Sequence, residues 1–150
     1  MTWLMHGEVP QSVTAVTQRF QPEYYPKVDD EANVLLTYKT AIATLQASWN
    51  WPFAVKDMDV FGSVGYAKTI KGDQLEVRNQ GEKEAHVSKA APLTTPNDDP
   101  LHYLAAVIRG EIQEDGSLSA LDTNVIVSEI LDAARESART GKTVQLPLRH

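Results

Sequence analysis

The clearest pattern in the chain is an alternation of period two. Between residues 41 and 49, Ala41, Ala43, Leu45, Ala47 and Trp49 fall on one side and Ile42, Thr44, Gln46 and Ser48 on the other. That period sets an apolar face against a core and a mixed, more polar face outward, as in a half-buried strand. The run Asn33 to Tyr38 precedes it, and the turn Lys39-Thr40 joins the two as a hairpin. In this partner strand Val34 and Leu36 lie on one side and Leu35 on the other. Upstream, Pro10 opens a strand over Ser12 to Phe20, and Gln21 to Glu31 is a loop rich in Pro, Tyr and Asp. Downstream, Pro52 breaks the ladder. Strands follow at 56–61, 66–70, 75–78 and 83–88, punctuated by Gly62 to Gly65, Gly72-Asp73 and Asn79-Gln80-Gly81. Met1 to Met5 reads as the tail of a helix that ends near Gly7 and begins upstream.

The period changes near residue 97. Asp99 and Pro100 mark a helix start as N-cap and N1, and Leu101, Leu104, Ala105 and Ile108 form its apolar stripe before Gly110. A second helix starts near Ser119, where Ser119 to Asp122 reads as a capping box. Its core face is Val127, Ile130, Leu131, Ala134 and Ala138, and Gly141 ends it. A short strand at 143–146 closes the chain. The pattern predicts a single α+β domain over 1–150. Its open, mostly antiparallel β-sheet has at least six strands, with helices at 100–109 and 119–140 packed on one face.

At 150 residues the chain is long enough to bury a core without a metal or disulfide, and it has no cysteine. No apolar run is long enough to cross a membrane. The first residues lack the basic flank of a signal peptide, so a cytoplasmic place is expected, with export through an upstream signal left open. The net charge of −6, with basic residues scattered among acidic ones, argues against nucleic acid. Arg135, Arg139 and Lys142 sit where cations offset a helix dipole.

Candidate chemistry is sparse. No glycine-rich dinucleotide turn and no P-loop occurs. His6, His86, His102 and His150 are too dispersed for a zinc site, with His102 in the first turn of a helix and His150 read as a disordered end. Asp29-Asp30-Glu31 reads as turn caps or a solvated run, and Asp57 and Asp59 share an exposed strand face. Trp49, Asn50 and Trp51, followed by Pro52, are the most suggestive group. Two large rings at a strand end suit the wall of a sugar-sized pocket, and they equally suit a core edge or a subunit contact, the commoner use of buried aromatics.

Two stretches carry a resemblance. Ala47-Ser48-Trp49-Asn50-Trp51-Pro52, running on through Lys56-Asp57-Met58-Asp59-Val60-Phe61-Gly62-Ser63-Val64-Gly65, is similar to a conserved-looking segment of the Gfo/Idh/MocA oxidoreductases. So is Val28 to Ala32 upstream. The ending from Ile130 to Val144, with Glu136-Ser137-Ala138-Arg139-Thr140-Gly141-Lys142 at its centre and Pro147 beyond, resembles the close of that family. The resemblance implies the family's C-terminal domain, like that of glyceraldehyde-3-phosphate dehydrogenase, without the N-terminal Rossmann domain that binds NAD or NADP. It further implies that the glycine-rich turn, the Glu-Lys-Pro lysine and the Gly-Gly-Gly motif with its Asp and His or Tyr lie outside this chain. On that reading no catalytic, cofactor-binding or metal residue lies here. Trp49, Trp51 and Asn50 are candidates for a substrate-pocket wall, and Ile42, Thr44 and Gln46 for a homo-oligomer interface on the sheet face. The parent would act on a sugar, polyol or related carbohydrate, although the family also contains imine and biliverdin reductases and NAD-dependent glycosidases. Two other classes stay open: a free-standing binding or scaffold module using its open sheet, and a small independent enzyme with a pocket of converging titratable groups.

Overall fold

The structure, a computed structural model, describes residues 1–113 and 116–148, so His150 lies outside the described residues. In chain order the elements are β1 (Ser12–Gln18), β2 (Glu31–Thr37), β3 (Ile42–Ser48), β4 (Asp59–Gly62), β5 (Gly65–Ile70), β6 (Gln74–Asn79), β7 (His86–Lys89), α1 (Pro100–Ile108), α2 (Leu121–Thr140) and β8 (Val144–Gln145). The α+β class and the antiparallel pairing hold throughout. The predicted single sheet of at least six strands is replaced by two sheets of four, ordered β3-β2-β1-β8 and β4-β5-β6-β7. The division falls at residues 49–58, where Pro52 has no N–H to continue a ladder.

Register in the first sheet follows the alternation. Val13 pairs with Leu36 and Leu36 with Ala43; Ala15 pairs with Val34 and Val34 with Leu45. These rows share the face covered by α2, and Val13, Ala15, Leu36, Tyr38 and Ala43 form the core with Ile130, Ala133 and Ala134. The opposite face carries Thr14, Leu35 and Thr44 in one row, Val16, Asn33 and Gln46 in the next, with Thr37 opposite Ile42. Val16, Leu35 and Ile42 are exposed there, Ile42 to 70%.

The helix faces differ in detail from the apolar stripes. On α2 the buried residues are Thr123, Ile130, Ala133, Ala134 and Ser137, and Leu131 is exposed. Small side chains carry the contact because they let the helix axis approach the sheet closely. The Ser119 capping box does not form: the helix begins at Leu121 with Ala120 as N-cap, without a side-chain cap bond. Asn124 instead donates from Nδ2 to the Ala120 carbonyl oxygen at 2.8 Å. On α1, Asp99 caps as expected, accepting from the N–H groups of Leu101 and His102. Its buried residues are Tyr103 and Ala106, however, while Leu101, Leu104 and Ile108 are exposed.

The two motifs behind the resemblance have plain structural work. Ser137 is fully buried, and its Oγ accepts the Ala15 N–H of β1 at 2.8 Å, pinning helix to sheet. One turn on, Gly141 ends α2 in the left-handed region (φ 66°), a conformation that favours glycine. Gly65 sits so near β6 that a Cβ there would collide with the Arg78 carbonyl oxygen. At the N-terminus, Met5 N donates to the Met1 carbonyl and Gly7 N to that of Thr2, a helical-type turn ending at Gly7 (φ 78°).

Candidate functional site

The residues that shape the candidate site begin with a buried carboxylate. Asp30 is 3% exposed, and its oxygens accept the N–H groups of Phe20 at 2.9 Å and Gln21 at 2.8 Å. Asn50 Nδ2 adds a third bond at 3.1 Å, and the Trp49 N–H donates to the Asp30 carbonyl oxygen at 2.9 Å. Burial pushes the Asp30 carboxyl pKa up, but the bonds from Phe20, Asn50 and Gln21 outweigh it and leave the pKa below the ordinary value. Asp30 is therefore a capped anion that ties the 21–31 loop to the end of β3.

Asn50 belongs to the same knot. Its Oδ1 accepts from Gln21 Nε2 at 2.6 Å, and its backbone N–H donates to Ser48 Oγ at 3.0 Å. With both ends of its amide occupied, Asn50 acts as a latch behind the site rather than as a group offered to a ligand. Holding Asn50 fixes the chain on either side of it, so that Trp49 and Trp51 stand out beside the edge strand β3.

Around them lies a hollow of about 520 Å³. Tyr25, Trp49, Trp51 and Phe53 form its aromatic walls, and Gln46, Ser48 and Lys56 its polar ones. The Tyr25 and Trp49 rings pack with centroids 5.0 Å apart and planes tilted by 50°. The structure thus brings Trp49, Trp51 and Gln46 together. Asn50 sits behind them, and Ile42 and Thr44 lie farther along β3 on the exposed sheet face. Tyr25, Phe53 and Lys56 are the residues that sequence reasoning missed. Tyr25 comes from a loop with no periodicity, and the Asp30–Asn50 knot, with Arg19 bonded to the Pro26 and Val28 carbonyls, holds that loop beside Trp49. Lys56, predicted to open a strand, instead lies in the connection before β4.

Other polar groups are paired locally. Asp59 faces Lys68 at 3.5 Å, His86 faces Glu82 at 3.4 Å, and His102 faces Asp98 at 3.1 Å. Arg135 and Arg139 bond Asp132 and Glu136 on their own helix face. Among the described residues no three His, Cys, Asp or Glu side chains are grouped to hold a metal ion. No helix there is long and apolar enough to cross a membrane.

The family model described as the GFO/IDH/MocA C-terminal domain matches residues 1–68, which contain β1 to β3, the Asp30 knot and the aromatic hollow. Over that span the chain is similar to a GFO/IDH/MocA C-terminal domain. The fold extends the likeness to almost the whole chain. An oxidoreductase from Agrobacterium radiobacter, solved with NAD+, L-tartaric acid and magnesium, superposes with a TM-score of 0.71 at 21% identity, over 96% of this chain and 45% of that one. An NAD-binding oxidoreductase from Klebsiella pneumoniae gives a TM-score of 0.72 at 14% identity, over 95% and 46%. GenD2 of gentamicin A biosynthesis, in complex with NAD, gives 0.56 at 19% identity, over 98% and 44%. No curated protein matches in sequence. The chain therefore spans about half the length of the solved chains it resembles.

Neither helix start fits the diphosphate of a dinucleotide. A diphosphate is held by free backbone amides at a helix N-terminus, often behind a glycine-rich turn. At α1 those amides are already taken by the Asp99 carboxylate, and at α2 Asp122 stands in the first turn. Both helix starts present negative charge to a negative group.

Proposed function

We propose that this chain is the substrate-side, subunit-contact half of an NAD(P)-dependent oxidoreductase acting on a sugar, polyol or related carbohydrate. The observation that carries the reading is the aromatic hollow at Trp49 and Trp51, within a fold shared with NAD-bound oxidoreductases. Sugar rings and polyol chains present C–H faces that pack on indole and phenol rings, while their hydroxyls need hydrogen-bonding groups at the rim. Gln46 and Ser48 supply such groups. The tartaric acid in complex with the Agrobacterium protein is a small dihydroxy dicarboxylic acid, which shares the adjacent hydroxyl-bearing carbons of a sugar or polyol.

In the parent enzyme the nicotinamide would accept or deliver hydride, and its binding and the proton-transferring groups would belong to residues outside this chain. This chain's own work is to orient the substrate and shield one side of it from water. The exposed face bearing Val16, Leu35 and Ile42 would join a second copy sheet to sheet, since apolar surface of that kind usually marks a contact.

Isothermal titration of D-glucose and D-glucitol into the chain tests the pocket. Weak binding that Trp51→Ala abolishes is the expected result. Binding unaffected by both Trp51→Ala and Trp49→Ala, or no binding of any carbohydrate, would remove the basis for the reading.

A further inference from the structure

We infer that the aromatic hollow selects a carboxylate-bearing ligand, a sugar acid of aldonate or uronate size, over the neutral sugar or polyol of the same length, and that Lys56 makes the selection. The inference rests on the carbohydrate reading above and narrows it to an anionic class.

The charge around the hollow is one-sided. Lys56 is the one charged side chain among its described lining residues; the others are aromatic, aliphatic or neutral polar. The nearest acidic groups of the knot are turned to other work. Asp30 is buried behind Asn50, and Glu31 lies 3.5 Å from the Asn50 amide. Lys68 and Lys89 elsewhere each pair with a carboxylate, Asp59 and Asp73, but Lys56 makes no ion pair among the described residues. In a chain of net charge −6, a lysine without an ion pair among the described residues, lining a hollow with four aromatic residues, departs from the prevailing balance.

Such a cation has a definite chemical use. Lys56 is exposed, so water screens its charge and the charge acts mainly on a group in direct contact with it. A ligand whose C–H faces lie on Trp49 and Trp51 would bring one end toward Lys56. A carboxylate at that end gains an ion pair with the ammonium, whereas a hydroxymethyl group gains a hydrogen bond in which only the donor is charged. Because the hollow is open, the gain should be that of a solvent-exposed ion pair rather than a buried one.

D-gluconate and D-glucitol make a matched test, since they share a six-carbon hydroxylated chain and differ at one terminal group. Binding of each to the chain is followed by tryptophan fluorescence, and far-UV circular dichroism confirms the fold of each variant. The expected Kd for gluconate is about fivefold below that for glucitol, the upper end for an exposed pair. Lys56→Gln should bring the ratio to about one by weakening gluconate binding more than glucitol binding, and Lys56→Arg should keep the preference. Equal affinities in the wild-type chain, or a gluconate preference that survives in K56Q, would overturn the charge inference and leave the carbohydrate reading standing. Binding of neither ligand would overturn both.

Discussion

Replacing Ser137 by alanine removes one oxygen atom from the helix–sheet contact and leaves everything else in place. That oxygen accepts the Ala15 N–H at 2.8 Å, and Ser137 is fully buried while Ala15 is 5% exposed. Water cannot take over the bond without opening the contact. A buried donor left without an acceptor costs about 1–3 kcal/mol. The better helix propensity of alanine offsets only a few tenths of this, roughly 0.5 kcal/mol at most. For a chain of this size the remaining loss corresponds to a fall of about 2–4 °C in Tm for each kcal/mol. Urea unfolding followed by tryptophan fluorescence measures it, with an unchanged m value showing that the transition is the same one. Ser128→Ala is the control, since its hydroxyl bonds the Asn124 carbonyl at 2.8 Å on the exposed side of the same helix. Its effect should stay within about 0.5 kcal/mol, as for most surface changes. If Ser137→Ala were as stable as Ser128→Ala, the serine of the family-like tail would not be pinning α2 to β1.

Three other expectations follow from particular contacts. Asp30 has a lowered carboxyl pKa in the folded chain, so the stability it contributes is present above the ordinary carboxylate pKa near 3.8 and is lost as pH falls toward the lower folded value. Asp30→Asn should flatten the acid limb of a plot of stability against pH, and an identical limb in both proteins would contradict the capped-anion account. Gly65→Ala should cost about 1–3 kcal/mol by forcing a Cβ onto the Arg78 carbonyl, read as a lower urea midpoint. Sedimentation at tens of micromolar should show a dimer or larger assembly that Ile42→Glu dissociates; a strict monomer with unchanged behaviour in I42E would show that the face is solvated.

Legibility in the sequence tracked how local the determining forces are. The β3 alternation placed Ala43 inward and Ile42 outward because a strand's period is set by its own backbone, whereas Leu45, on the same side as Ala43, is exposed. Asp99 was readable as a cap because its acceptor lies within three residues of the N–H groups it serves. The helix faces were harder: large apolar residues drew the stripe to Leu131 and Leu104, whereas Ala133, Ser137 and Ala106 make the contacts. Small residues carry little hydrophobic signal, yet they permit the closest approach. Trp49 and Trp51 stood out at the site by residue type alone. Tyr25 and the latch role of Asn50 did not, since both depend on Asp30 gathering amides from Phe20, Gln21 and a side chain twenty positions away. The division into two sheets was hidden for a related reason. Pro52 signalled a break, but period and turn residues do not say whether the next strand rejoins the same edge.

The central claim is that Trp49 and Trp51 form a carbohydrate-binding wall. Two-dimensional ¹H–¹⁵N NMR of the chain tests it most directly, because its three tryptophans give three indole N–H signals, each assignable by substitution with phenylalanine. Titration with D-glucitol should move the Trp49 and Trp51 indole signals together along one saturable curve while Trp3, which does not line the hollow, stays still. Unmoved Trp49 and Trp51 signals, or equal movement of all three, would contradict the account.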